Sequence, residues 1–221
     1  MSNKTKSSYA ISKQLLNRLP LYLNYLKDFA DREGYISAPL IANAMKLNEV
    51  QVRKDLAAVS SSGGKPKTGF AAGQLIRDIE KFLGYDNVNE AVIAGTGHLG
   101  SALLSYKGFD EYGLKILMGF DLKDELVGTS IAGKQVLHID KLEDVCKRLK
   151  IHIGIITVPA SFAQEVCDRM VAGGILAVWN FAPVHLTVPD HVVIQNENMA
   201  ASLVVLSKHL AEKLEKKEEG I

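Results

Sequence analysis

Residues 91–109 read AVIAGTGHLGSALLSYKGF. A short apolar run, Ala91 to Ala94, leads into Gly95-x-Gly97-x-x-Gly100, and a helical pattern from Leu99 to Tyr106 follows. GxGxxG between a strand and a helix is the spacing of a dinucleotide-binding turn. Gly95 permits the tight turn, Gly97 lets the backbone approach a pyrophosphate, and Gly100 lets helix and strand pack closely. Thr96, His98 and Leu99 complete the loop. Phosphates would rest on the helix N-terminus, whose unpaired N–H groups and dipole favour anions. Asp121 ends the next predicted strand, LKILMGFD, 21 residues after Gly100; an acid about 20 residues on is the usual ribose ligand. It would accept hydrogen bonds from the ribose hydroxyls and repel a 2′-phosphate, which favours NAD(H) over NADP(H). A purely structural glycine turn is the alternative.

Downstream the pattern keeps alternating. QVLHI reads as a short extended piece, KLEDVCKRLK as a helix, IHIGIITVP as a strand ended by Pro159, FAQEVCDRMVAGG as a helix, and ILAVWNFAP and VVIQNE as strands. Apolar strands alternating with helices predict a parallel sheet covered on both faces, and right-handed crossovers make it a Rossmann-type, doubly wound α/β domain. The tail NMAASLVVLSKHLAEKLEKKEEG predicts an amphipathic helix with a stripe of Met199, Leu203, Leu206, Leu210 and Leu214. It belongs to no strand–helix unit, so its stripe needs a partner surface, in its own domain or on another subunit.

Upstream the reading is helical. LPLYLNYLKDFADREG spaces Leu19, Leu23, Leu26 and Ala30 for one helix face and stops at Gly34. In ISAPLIANAMKL, Ser37 is placed to cap, Pro39 lies in the first turn, and Leu40, Ile41, Ala44 and Met45 form the apolar face. After the turn Lys46-Leu47-Asn48, the next helix starts on Asn48 as cap with Gln51 three residues on, a capping-box variant. Val52, Leu56 and Val59 face inward, while Val50, Gln51, Arg53 and Lys54 point away. Two short helices around a tight turn predict helix-turn-helix, and its second helix would place N-terminal residues at base edges and basic residues at phosphates. A solvated basic face is the plainer alternative. SSSGGKPKTGF, Ser60 to Phe70, is either a flexible linker or a hairpin whose tip carries Lys65 and Lys67 to a DNA backbone, the wing of a winged helix. The helix AAGQLIRDIEKFLG then leads to a boundary near Tyr85 to Asn89.

The 221 residues carry a net charge of only +1, but it is unevenly spread. Residues 1–86 sum to +5 and residues 87–221 to −4. A basic first third points to an anionic partner, nucleic acid first. No 18-residue apolar run predicts a membrane span and no apolar segment near the N-terminus predicts a secretory signal, so a cytoplasmic protein is expected. Cys146 and Cys167 read as two small buried hydrophobes, with a redox pair as the alternative, and no metal-ligand spacing is present.

A dehydrogenase needs an acid or base beside the nicotinamide and room for a substrate. His138, His152 and His185 are the candidates, and each lies in or beside an apolar segment where a structural histidine is commoner. The length leaves no substrate-sized second domain. A cofactor site joined to a helix-turn-helix favours a sensor over an enzyme.

The motifs RLPLYLNYL, QVRKDL, AGTGHLGSALLSYKGF, GFDLKDELVG, ITVPA, AQEVCDRMVAGGI and VWNFAPVHLTVP, in this order, together resemble the redox-sensing transcriptional repressor Rex family. The resemblance covers about Ile11 to Leu210. It implies a bacterial homodimer built from an N-terminal winged helix (1–86), a Rossmann NAD(H)-binding domain (87–197) and a C-terminal dimerisation helix (198–221), swapped between subunits. It implies binding to double-stranded palindromic operator DNA, no catalytic residues, NAD+ favouring the DNA-bound state and NADH releasing it. The cofactor set it implies is Gly95, Thr96, Gly97, His98, Leu99, Gly100, Asp121, Lys123, Thr157, Val158, Pro159, Asn180, Phe181 and Pro183, with Tyr106 as the switch tyrosine. In the winged helix Arg53 and Lys54 match the family's basic pair, and the residues' own placement adds Ser37, Asn48, Gln51, Lys65 and Lys67 to the expected DNA-binding set. Three positions depart from the family pattern. The wing reads Ser-Ser-Gly-Gly-Lys-Pro-Lys in place of a Phe-Gly stretch with following basic residues. Asn198 stands where an aspartate usually opens the last helix to pair with the switch tyrosine or an arginine, and a neutral amide cannot make the carboxylate's charge-assisted bond. His98 takes a place often held by Asn or Arg. An NAD-dependent oxidoreductase with an accessory helical domain, a family member with weakened redox switching and a nucleotide-binding scaffold that has lost DNA binding are the readings left beside the repressor.

Overall fold

The structure, a computed structural model, describes residues 12–29, 34–85 and 89–218. The chain divides into two compact units, Met1–Asn87 and Val88–Ile221.

In the first unit α1 (Lys13–Asp28) starts on Ser12, whose hydroxyl accepts the Leu15 N–H, and buries Leu19, Tyr22, Leu23 and Leu26. Ala30, expected on the same face, lies outside the described residues. The two-residue strand β1 (Tyr35–Ile36) follows, then α2 (Ala38–Met45), capped by the Ser37 hydroxyl with Pro39 in its first turn. Its buried face is Ala38, Ile41 and Ala42. Leu40 and Ala44, expected inside, are exposed: the short helix is turned so that Ala42 packs in their place. Lys46 closes α2 in the left-handed region at φ 55°. α3 (Glu49–Val59) starts on Asn48, whose side chain accepts the Val50 and Gln51 N–H groups. Only half of the capping box forms: Asn48 accepts the Gln51 N–H, while the Gln51 side chain turns to Asp55, donating its amide N–H there. Val52 and Leu56 are fully buried, and Val59 half-buried. β2 (Phe70–Ala71) pairs antiparallel with β1, and α4 (Ala72–Leu83) ends on Gly84 in the left-handed region.

The second unit holds a seven-stranded sheet. Its strands are β3 (Asn89–Ala94), β4 (Leu114–Asp121), β5 (Ser130–Ile131), β6 (Lys134–His138), β7 (Ile153–Ile156), β8 (Ala177–Asn180) and β9 (Val193–Asn196). They lie in the order β5-β6-β4-β3-β7-β8-β9, with every pair parallel except the β5–β6 edge. From β6 to β9 this is the doubly wound Rossmann order, with its switch point between β3 and β7. The helices are α5 (His98–Ser105), α6 (Leu142–Leu149), α7 (Ala160–Ala172) and α8 (Met199–Glu218), with a 3₁₀ turn at Lys107–Tyr112. Alternation along β3 shows why both faces must be covered. Ala91 and Ile93 pack into one cluster with Leu104, Ile116 and Ile155; Val92 and Ala94 pack into another with Phe120, Ile156 and Val178. Cys146 on α6 and Cys167 on α7 are fully buried and free, and burial pushes both thiols up to about 11. They behave as small hydrophobes. Along α8, Leu203, Leu206, Leu210 and Leu214 are each more than half exposed.

Candidate cofactor cleft and nucleic-acid interface

The glycine loop sits where the sheet order reverses. Gly95 has φ 89°, and a Cβ there would stand 2.9 Å from the Thr157 carbonyl carbon and 3.0 Å from Val158 Cγ1. A Cβ on Gly100 would stand 1.9 Å from the Gly95 carbonyl oxygen. Thr157 locks the crossing, its hydroxyl donating to the Ala94 and Gly95 carbonyls. Gly97 is different: a Cβ there meets no protein atom within 4 Å. The protein itself does not require that glycine; the open space lies over the start of α5, which has no side-chain cap. Its first-turn N–H groups are therefore available to an anion.

A cleft of about 610 Å³ opens there. Gly95, Gly97, Leu99, Asp121, Lys123, Thr157, Val158, Pro159, Phe181 and Pro183 line it, as do Phe120, Leu122, Ile139, Phe162, Val166 and Ala182. The volume suits a mostly apolar ligand site with few polar anchors. Asp121 provides the charge. Partial burial acts to raise its pKa, but the Thr96 and Lys123 N–H groups and the Thr96 hydroxyl outweigh this and hold the carboxyl below its usual range. A fixed carboxylate, an apolar wall and an uncapped helix start fit an adenine dinucleotide.

Five residues expected at the cofactor do not line the cleft. Thr96 is buried behind the loop, giving both its N–H and its hydroxyl to Asp121. Gly100 is buried under Gly95. His98 stands exposed at the first position of α5. Asn180 is fully buried; its amide donates to the Ala182 and Val184 carbonyls and to Asn196, and its carbonyl accepts the Ala182 N–H. It shapes the Phe181–Pro183 turn that reaches the cleft. Tyr106 is 55% exposed beyond the end of α5 and stacks edge-on against Phe109. A row of rings continues from Phe109 to Trp179 and on to Phe181 at the cleft wall. Leu122 and Phe162 escaped the sequence reading. An apolar residue directly after the strand-ending acid, and a ring in the first turn of the helix after Pro159, were the available signals. His138, His152 and His185 are not among the residues lining the cleft: His138 contacts Asp140, His152 contacts the Gly174 carbonyl, and His185 is exposed.

In the first unit, Ser37, Arg53, Lys65 and Lys67 line one cleft of about 660 Å³, together with Ala57, Pro66 and Phe70. Lys65 and Gly69 exchange backbone hydrogen bonds across the turn Pro66-Lys67-Thr68, so Ser60–Phe70 ends in a hairpin rather than a linker. Lys67 sits at the tip with φ 65°, and Lys65 lies over the Tyr35 ring, 5.5 Å from its centroid. Asn48, Gln51 and Lys54 lie outside this cleft, on the exposed side of α3. Arg53 is paired with Glu49 one turn back. Behind them Asp55, 4% exposed, accepts two hydrogen bonds from Arg18, at 2.6 and 3.0 Å, and one from the Tyr22 hydroxyl. Sequence reasoning missed this network, because an acid between Lys54 and Leu56 reads as surface.

A basic winged helix and a dinucleotide cleft in one chain define a nucleotide-responsive DNA-binding protein. The first half matches the family model "Putative DNA-binding protein N-terminus" over residues 10–57, and the second matches "CoA binding domain" over residues 86–184. The redox-sensing transcriptional repressor Rex of Treponema denticola is 42% identical over 86% of this chain and 91% of its own, and that of Bacteroides fragilis is 38% identical over 93% of both. The chain belongs to the Rex family of redox-sensing transcriptional repressors. Solved structures agree. RSP in complex with β-NAD+ and operator DNA superposes with a TM-score of 0.85 at 34% identity, covering 95% of this chain and 97% of that one. RSP in complex with β-NADH superposes at 0.83 with 33% identity, covering 95% and 98%. No described helix is long and apolar enough to cross a membrane.

Proposed function

We propose that this chain represses transcription from operator DNA as a homodimer and reads the NADH/NAD+ ratio, leaving the DNA as NADH rises. The observation that carries the reading is the pairing, in one chain, of a cleft ended by Asp121 with a basic winged helix, in a relative of a repressor solved with NAD+ and operator DNA and with NADH. Family membership decides against an oxidoreductase, because the relatives are repressors. The site assignments follow. The α5 N-terminus holds the pyrophosphate, Asp121 the adenine ribose, and Phe181 and Pro183 the nicotinamide end of the cleft. Coenzyme A and NAD(H) share an ADP portion, which accounts for the matching family model; Asp121 disfavours the extra ribose phosphate of coenzyme A as it disfavours that of NADP(H). Ser37, Asn48, Gln51, Arg53, Lys54, Lys65 and Lys67 form the DNA face. The helix α8 completes a dimer by swapping onto the partner, and the protein works in the cytoplasm. Residues 1–86, 87–197 and 198–221 are its three functional segments.

The nicotinamide of NAD+ carries a positive charge that NADH lacks, and a low-dielectric wall around Phe181 distinguishes the two. Release then requires a differential affinity between a DNA-bound and a closed dimer, about 1–3 kcal/mol or roughly 5–150-fold in typical couplings. A second reading, weakened switching, rests on Asn198. Its neutral side chain accepts the Ala201 N–H at 3.0 Å, capping α8. Titrating an inverted-repeat duplex in a mobility-shift assay, with and without NADH, tests both. Loss of DNA binding with NADH supports the switch; equal affinity in both arms sinks it while sparing the repressor.

A further inference from the structure

We propose that Gln51 reads an adenine edge in the major groove, with its amide orientation set from inside the protein by Asp55 and Arg18. The proposal rests on the assignment of α3 as the DNA-reading helix. Gln51 is exposed and occupies the first turn of α3, where a recognition helix meets base edges. Its Nε2 donates to Asp55 Oδ1 at 2.8 Å. Asp55 is itself held at both ends: Arg18 of α1 bonds both carboxylate oxygens, and the Tyr22 hydroxyl bonds Oδ2. The order of the amide atoms follows from chemistry. A carboxylate paired with a guanidinium is ionised and only accepts hydrogen bonds, so the NH2 group of Gln51, never its carbonyl, must face it. That leaves a carbonyl oxygen and one N–H on the exposed side in a fixed order. An acceptor beside a donor complements the N6 donor and N7 acceptor of adenine. A free glutamine would lose rotamer entropy and choose between two amide flips on binding; this one is ordered before DNA arrives. Arg18 and Asp55 are positioning residues and touch no base.

The test starts from a duplex selected out of a randomised pool by the wild-type dimer. Binding of that duplex and of each single-base-pair variant is then measured for Gln51→Ala, Asp55→Asn, Arg18→Lys and the Gln51→Ala/Asp55→Asn double variant, with thermal unfolding alongside. The expected result is that Gln51→Ala flattens discrimination at one A·T pair per half-site, by roughly 5–150-fold, the range of a bidentate side-chain contact. Asp55→Asn flattens the same pair, and the double variant adds nothing further. If Asp55→Asn does not fold, Arg18→Lys, which keeps the charge and loses the two-point grip, shows a smaller loss at that same pair. Discrimination retained at every A·T pair in Gln51→Ala overturns the proposal, and so does uniform weakening across all positions in the Asp55 and Arg18 variants. A pool that yields no preferred sequence removes the DNA-reading assignment itself.

Discussion

Asp121 Oδ2 accepts the Thr96 N–H at 2.6 Å and the Thr96 hydroxyl at 3.0 Å, so the acid that ends β4 holds the glycine loop in place as well as facing the cleft. The two roles separate by substitution. Asp121→Asn keeps an acceptor for Thr96 and removes the charge that repels a ribose phosphate. Preference for NADH over NADPH should fall by roughly tenfold or more, the equivalent of about 1.4 kcal/mol, in a fluorescence titration with each nucleotide. Unchanged preference would remove Asp121 from the ribose site. Because its folded pKa is depressed, Asp121 stabilises the second unit above its unfolded value, about 3.9, and that contribution fades as pH falls through the lower folded value.

Two glycines of the loop, Gly97 and Gly100, should part company. Gly97→Ala places a methyl group in open space at φ −64° and ψ −162°, which any residue adopts. Its melting temperature should match the wild type while NADH affinity drops, since the methyl group occupies the approach to the pyrophosphate. Gly100→Ala collides with the Gly95 carbonyl and should destabilise the unit by about 1–3 kcal/mol or more. Calorimetry paired with nucleotide titration separates them, and a Gly97→Ala protein that binds NADH normally would move the phosphates elsewhere.

The Arg18–Asp55–Tyr22 network holds α3 to α1, and its loss should be felt at both ends of the pH scale. Asp55→Ala leaves Arg18 partly buried without its partner and should cost about 3–5 kcal/mol. Tyr22→Phe removes one hydrogen bond and should cost about 1–3 kcal/mol. For Asp55, burial acts to raise the pKa, but hydrogen bonds from Arg18, Gln51 and Tyr22 win and lower it. Its contribution is therefore present above the unfolded value and lost as pH falls through the folded one. Tyr22 is pushed up to about 12, first by burial and then by its bond to Asp55. That contribution is whole below about 10 and lost as pH rises toward 12. Circular dichroism melts across pH should show Tyr22→Phe removing the alkaline part of the loss.

Much of this was legible because periodicity and glycine chemistry are local. The strand–glycine–helix stretch at 91–109 and the acid at Asp121 located the cleft, and alternating apolar segments gave six of the seven strands in the sheet. What escaped is defined by partners far along the chain. β1 and β5 are two residues each, and their pairing with Phe70–Ala71 and Lys134–Gln135 leaves no pattern to read. Asp55 is inside only because Arg18 lies 37 residues away to neutralise it. Asn180 looks like a cofactor ligand in a motif, yet its amide is used in shaping the turn that presents Phe181.

If the wing meets DNA through charge, as proposed, Lys67 allows charge and backbone to be tested apart. At φ 65° a lysine carries strain of about 1–2 kcal/mol that glycine does not. Lys67→Gly should leave the first unit as stable or up to about 1 kcal/mol more so, while the slope of log K against log salt for DNA falls by about 0.9, the value for one phosphate contact. Lys65→Ala should lower the slope similarly and also free Tyr35, whose ring and hydroxyl Lys65 contacts. Salt slopes identical to the wild type in both variants would take the wing off the DNA.

Among the described residues, α8 carries a run of exposed apolar side chains that its own unit does not bury. Leu206 and Leu210 are 64% and 56% exposed, on a helix whose neighbours Val204 and Val205 are equally open. Burying a leucine is worth about 1.5–3 kcal/mol, and a two-fold interface uses each residue twice. Leu206→Glu with Leu210→Glu should therefore shift the protein from dimer to monomer at micromolar concentration, as read by light scattering, without lowering the melting temperature of the sheet. Operator affinity should fall with it, because a monomer holds one half-site and loses the gain of linked binding. NADH binding should survive if the cleft is complete within one protomer. A double variant that stays dimeric would place the dimer contact on some other surface and leave α8 without its proposed role.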